Sequence, residues 1–196
     1  MVNSYAVLLR AVNVGGRTLS MDRLRRVLTT MGCSTATTLG VSGNAVVTYP
    51  VGTSTRTFER KIEEALASEA GVSTDAFVRD GREWDQLVRE NPFRSEARED
   101  PAHLVVTVLR SAPRASAWTR LSGGIVGREQ VRPGTRHAYI VYPDGIGRSK
   151  LTATRIERLL GVRGTSRNWN TVLRLWDELH TRAERSSTLA DPSKKI

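Results

Sequence analysis

Residues Tyr5–Tyr49 read YAVLLRAVNVGGRTLSMDRLRRVLTTMGCSTATTLGVSGNAVVTY, and the changes of period along this stretch decide the fold. Tyr5–Arg10 is rich in apolar residues and alternates only weakly, the pattern of a buried strand. It runs into a glycine loop, Ala11-Val12-Asn13-Val14-Gly15-Gly16-Arg17. Ser20 then caps a helix whose apolar positions Met21, Leu24, Val27, Leu28 and Met31 keep a helical period, with Gly32 as its stop. Thr35–Val41 and Ala45–Tyr49 are two strands around the tight turn Ser42-Gly43-Asn44.

Working outward, Pro50-Val51-Gly52 breaks the second of these strands. A helix from about Thr55 to Ala70 sets Phe58, Ile62, Ala65 and Leu66 on one face and ends at Gly71. Asp75–Arg79 is a short strand. The order strand, helix, strand, strand, helix, strand is the split βαβ pattern of the ferredoxin-like fold. Asp80 and Glu83 cap a linker helix carrying Trp84, Leu87 and Val88, which Asn91-Pro92 stops. Arg94–Pro101 is polar and charged and reads as a domain boundary. Beyond it the order recurs: strand His103–Arg110, helix Pro113–Leu121, strands Ile125–Val131 and Arg136–Tyr142 around Pro133-Gly134, and helix Leu151–Leu160 ended by Gly161. A last helix, Asn170 to about Glu184, turns Val172, Leu175, Trp176 and Leu179 to the core. The expectation is an α+β chain of two tandem ferredoxin-like βαββαβ halves with an extra C-terminal helix. The first half with its linker helix spans 1–93, the second 101–184, and 185–196 forms a disordered tail.

The totals narrow the function classes. No apolar run approaches the roughly 20 residues of a membrane span, and the N-terminus lacks the basic-then-apolar form of a secretory signal. Cys33 is the only cysteine, so no intrachain disulfide forms and a reducing cytoplasm fits best. Residues 1–100 hold 13 Lys+Arg and 13 Asp+Glu, while 101–196 hold 17 and 7, so the second half carries the whole net charge of +10. A polarised basic face attracts phosphate-bearing partners. Arg outnumbers Lys 26 to 4, however, which codon usage in a GC-rich genome also produces.

Candidate chemistry gathers in YPDGIGRSKLTATRIERLLGVRGTSRNWNT, Tyr142 to Thr171. Gly145, Gly147, Arg148, Ser149 and Lys150 form a turn that enters a helix, so backbone N–H groups and fixed cations can meet an anion there. Lys150 stands out in a chain with so few lysines; it serves phosphate or, when buried, proton transfer, and otherwise is merely solvated. Asp144 is its candidate acid–base partner. Arg167, Asn168, Trp169 and Asn170 form a second polar cluster, either a ligand site with a stacking Trp or a helix cap with a core plug. In a βαββαβ half the first two strands run parallel, so Asn13, Gly15, Gly16 and Arg17 should lie near Ser42, Gly43 and Asn44, with Arg10 a further candidate for the ligand. That is a small polar pocket, or two turns whose Gly and Asn satisfy positive φ. The turn is no Walker loop, Asn13–Gly16 supplies no GxGxxG, and Gly40–Asn44 misses GxSxG at its last position. His103, His137 and His180 have no metal-ligand spacing, so no metal site is predicted and the cofactor stays unknown.

Three blocks together resemble a known family: Leu9 through Gly16, Ser42-Gly43-Asn44, and Pro143 through Thr152 with Arg167 through Thr171. In this order and spacing they are similar to the bacterial family catalogued as domain of unknown function 1697, and Asn91-Pro92-Phe93 also fits it. The resemblance spans Tyr5 to about Leu179 and implies two ferredoxin-like halves, without implying an activity. Leu39-Gly40-Val41 departs from the bulkier or polar residues usual before the Ser-Gly-Asn block. Three functional readings follow. The first is binding of a small anionic or phosphorylated ligand by glycine loops and basic residues. The second is an enzyme on a small anionic substrate, with Lys150 and Asp144 moving a proton while Asn13 and Asn170 orient it. The third is nucleic-acid binding by the basic second half, which lacks the aromatic run of an RNA-binding sheet. Oligomeric state is not legible.

Overall fold

A computed structural model describes residues 2–13 and 18–190, with side chains over 3–13 and 18–182. Gly15, Gly16, Arg17 and the 191–196 part of the expected tail lie outside the described residues. The chain forms two compact units, one from Met1–Asp85 with Arg174–Ile196, the other from Gln86–Leu173.

In the first unit, β1 (Val2–Leu9), α1 (Met21–Thr30), β2 (Thr35–Leu39), β3 (Asn44–Pro50), α2 (Thr55–Ala70) and β4 (Ala76–Asp80) follow the expected order. The sheet order is β2-β3-β1-β4, all neighbours antiparallel, so β1 and β2 are parallel to one another. Alternate residues Tyr5, Val7, Leu9, Ala45, Val47, Tyr49 and Val78 face Leu24, Val27 and Leu28 of α1 and Phe58, Ile62 and Leu66 of α2 in one core. The intervening Ala6, Leu8, Val46 and Phe77 are fully buried too. Strands buried on both faces lose hydrophobic alternation, which is why Tyr5–Arg10 alternates so weakly. Phe58 anchors this core, stacked on Tyr49 at 4.2 Å between ring centroids and edge-on to Tyr5 at 5.5 Å. Ser20 and Ser54 cap α1 and α2 through bonds from the N–H of Arg23 and Thr57, and Gly71 closes α2 in the left-handed region at φ 60°.

The second unit repeats the plan with β5 (Leu104–Leu109), α5 (Ala115–Gly123), β6 (Gln130–Pro133), β7 (His137–Val141), α6 (Ala153–Leu160) and β8 (Gly164–Asn168), its sheet ordered β6-β7-β5-β8. Its core joins Val105, Leu109, Ile140 and Tyr142 to Leu121 of α5 and Ile156 and Leu160 of α6. Hydrogen bonds at the strand ends carry the repeat. Leu9 N–H donates to Gly43 O and Arg10 N–H to Asp75 O; Leu109 N–H donates to Arg136 O and Arg110 N–H to Arg163 O. The chain is therefore α+β with two tandem βαββαβ halves.

Three stretches differ from expectation. Arg94–Pro101 holds a short helix, α4 (Arg94–Glu99), inside the second unit; it buries no side chain, so no apolar stripe announced it. The change of unit falls instead within α3 (Gly81–Arg89) and again within α7 (Trp169–Ala190). That last helix outruns its expected end near Glu184 and takes in residues 185–190 of the expected tail. In the first unit its Arg182 guanidinium donates to the hydroxyls of Thr35 and Thr37 on β2, and Trp176 Nε1 donates to Asp85 Oδ1 at 2.7 Å. Among the described residues no helix is long and apolar enough to cross a membrane.

The β2–β3 turn is a packing constraint. Gly43 has φ 71°, and a Cβ there would stand 2.6 Å from Val12 Cγ2 and 2.8 Å from Leu9 Cβ. Gly71, at φ 60°, faces open space. Gly43→Ala is expected to cost about 2–4 kcal/mol, backbone strain plus overpacking, and Gly71→Ala only about 1 kcal/mol. Urea unfolding of both variants measures this; equal losses would refute the packing role of Gly43.

Candidate functional site

The loop that leaves β7 is held at its root. Tyr142 N–H donates to His103 O at 2.9 Å, and the buried Tyr142 hydroxyl donates across the loop to Leu151 O at 3.1 Å. Burial, reinforced by the nearby Glu129 carboxylate, pushes the Tyr142 phenol well above its usual range. Gly145 takes φ 81°, and Ile146–Arg148 make one 3-10 turn. The N–H groups of Gly145, Arg148 and Ser149 are taken by the loop's own carbonyls, those of Tyr142, Gly145 and Ile146. Leu151 N–H goes to Ser149 Oγ at 2.9 Å, and Thr152 caps α6 through the N–H of Arg155. The expected row of open amides is therefore incomplete: within the turn Gly145–Lys150, Ile146, Gly147 and Lys150 keep an N–H with no partner among the described residues.

Facing this loop, Val126–Glu129 form the second wall of a cleft of about 210 Å³. Its acids already have partners. Asp144 receives both guanidinium arms of Arg128, Nε at 3.1 Å and Nη2 closer still. Hydrogen bonding from Arg128, with further help from Arg148 and His103, holds the Asp144 carboxyl below its usual value. Glu129 Oε1 accepts from the Ser149 hydroxyl, while Oε2 is buried without a donor against Gly127. Arg148 and Lys150 line the same cleft, are exposed, and make no side-chain hydrogen bond or ion pair among the described residues. Val126, 66% exposed, lines the rim, and Ile146, 51% exposed, sits in the adjoining turn, so apolar surface lies beside the charge.

Asp144, Gly145, Arg148, Ser149 and Lys150 thus come together, with Gly147 in the adjoining turn. The Arg167 cluster does not line this cleft. Arg167 lies on β8, bonding to Thr165 Oγ1 and Ser166 O, and burial lowers its guanidinium to about 10. Asn168 caps α7 by accepting from Thr171 N–H at 3.0 Å, Trp169 is buried, and Asn170 is exposed. In the first unit the expected neighbourhood of loop and hairpin is present. Asn13, in the left-handed region at φ 58°, uses its side-chain amide to join Leu19 O, Leu19 N–H and Val41 O. Arg10 lies 3.9 Å from Asp75, Asn44 Nδ2 bonds Leu39 O, and Ser42 is exposed beside them. These polar groups tie loop to hairpin.

Sequence reasoning missed Arg128, Glu129 and His103. Residues 125–129 read as strand, but β6 starts only at Gln130. His103, its Nδ1 on Asp100 Oδ2 at 2.6 Å, brings Nε2 within 3.6 Å of where a Gly145 Cβ would stand. Its i, i+3 spacing from Asp100 was the available signal. Among the described residues no group of three or more His, Cys, Asp or Glu could hold a metal ion.

The sequence matches the model of a family described as "Protein of unknown function (DUF1697)" over residues 2–139. The fold is similar to that of a conserved bacterial protein from Streptococcus pneumoniae, with a TM-score of 0.69 at 18% identity, covering 91% of this chain and 99% of that one. No curated protein matches the sequence.

The ion pair is testable by carboxyl titration in NMR. Asp144 is expected to titrate below 3.8, and Arg128→Ala to bring it back towards that value. An Asp144 midpoint that does not move in the variant would show that Arg128 is not its partner in solution.

Proposed function

The chain belongs to the DUF1697 family of proteins of unknown function, and on the cleft's own chemistry we propose that it binds a small anionic ligand, a phosphate-bearing metabolite or a similar anion. One observation carries this reading. Both acids of the cleft have a partner from the protein itself, whereas Arg148 and Lys150 have none among the described residues. Arg128 offsets the Asp144 charge, so in the cleft only Glu129, held by the neutral Ser149 hydroxyl, opposes the two cations. The free N–H groups of Ile146 and Gly147 add directed donors beside them. Proton transfer by Asp144 is the weaker reading, because a carboxylate held ionised by Arg128 is a poor base at neutral pH. A reducing, cytoplasmic setting suits the single cysteine: burial pushes the Cys33 thiol up to about 11, which keeps it protonated and inert.

Thermal unfolding against inorganic phosphate and a panel of phosphorylated metabolites and nucleotides tests the proposal. A ligand at a hundred times its Kd is expected to raise Tm by about 5 °C or more. Lys150→Ala should abolish the rise and Arg148→Ala reduce it. Both side chains are exposed and unpartnered, so ligand-free Tm should hold in each variant. No shift with any ligand, or the same shift in both variants, would remove the site.

A further inference from the structure

Lys150 lines two clefts, not one. Besides the cleft just described, it borders a second of about 260 Å³ whose other lining residues are Thr152, Thr154, Arg155 and Arg158. This second cleft contains three cations, two exposed hydroxyls and no acid. Arg155 is anchored there, Nη2 donating to Gly124 O at 2.8 Å, which holds one charge in place. Arg158 is exposed and without a partner among the described residues. Across the two clefts Arg128, Arg148, Lys150, Arg155 and Arg158 stand against Asp144 and Glu129, an excess of three positive charges.

We propose that the two clefts bind the linked phosphates of one diphosphate-bearing small molecule, one phosphate in each, with Lys150 reaching both. This rests on the anion reading of the first cleft and adds the second. A single phosphate, with about two negative charges, leaves part of the excess charge uncompensated; two linked phosphates, with about two to four, match it. The shared residue sets the spacing, because two groups that touch one ammonium must themselves be neighbours. A nucleic-acid strand is the poorer fit. Neither cleft offers a ring for a base to stack on, since its one aromatic residue, Tyr142, is 1% exposed.

Isothermal titration of the full chain with inorganic phosphate, pyrophosphate and a single-stranded oligonucleotide tests this. Pyrophosphate is expected to bind about tenfold or more tighter than phosphate, as an added charge-assisted contact requires. Arg158→Ala should erase that advantage and leave phosphate affinity unchanged. Arg148→Ala should weaken both ligands, and Arg114→Ala, an exposed arginine outside both clefts, neither. Pyrophosphate binding that Arg158→Ala removes supports the inference even where phosphate alone is too weak to detect. Equal affinities for phosphate and pyrophosphate would overturn the two-cleft inference and leave the single-anion reading standing. Equal losses in Arg158→Ala and Arg114→Ala would reduce it to general charge attraction and overturn it likewise. Failure of both anions overturns both readings, and displacement of pyrophosphate by the oligonucleotide, with a steep salt dependence, overturns it in favour of nucleic acid.

Discussion

Each half is built on a central strand whose backbone is hydrogen-bonded on both sides, β1 in the first and β5 in the second, and the ends of those two strands decide where every loop begins. At Leu9-Arg10 and again at Leu109-Arg110, consecutive N–H groups reach carbonyls on opposite flanks, so both neighbouring strands are clamped to the same rung. At the other end of β5, Tyr142 N–H closes onto His103 O, and that bond fixes the root of the cleft loop. A backbone group buried without such a partner costs on the order of 1–3 kcal/mol. The ladder therefore leaves little freedom in where β7 stops and the loop turns outward.

From that root the loop satisfies itself before it can meet a ligand. Its local carbonyl bonds use part of the amide supply, and Ser149 Oγ donates to Glu129 while accepting from Leu151 N–H. What remains unmatched is positive. The cleft thus owes its character less to the number of its cations than to the prior engagement of its acids. Glu129 Oε2 is the exception: it is buried against Gly127, with no donor among the described residues. A Cβ at Gly127 would lie 2.5 Å from that oxygen, so the wall accepts only glycine without moving.

Legibility in the sequence tracked where side chains, rather than backbone partners, carry the information. Helix α1 announced itself through an apolar stripe, a Ser cap and a closing glycine, α2 through its stripe and glycine, and α6 through its closing glycine, and all three lie close to where those signals put them. Strand β8 is the opposite case. Its sequence Gly164-Thr165-Ser166-Arg167-Asn168 holds no large apolar residue, and it is a strand because β5 offers it a ladder. The polar cluster read there as a ligand site is consequently part sheet edge and part helix cap. Glu129 was hidden for a related reason: its neighbours looked like strand, but β6 starts only at Gln130, and Val126–Glu129 line the cleft instead.

Local chemistry, then, was written in the chain: the periods of the helices, the turns that need glycine at positive φ, the duplication of element order and the crowding of cations after Tyr142. Those features depend on neighbours within a few residues. Which acids find partners was decided by the fold, because Arg128 meets the Asp144 charge, and the Ser149 hydroxyl meets Glu129, only when the chain between β6 and β7 doubles back. An ion pair or a cleft is a relation between distant residues, and no period or spacing encodes which of many arginines will be left over. In this cleft tertiary structure left Arg148 and Lys150 without a partner among the described residues, and the proposed site rests on that remainder.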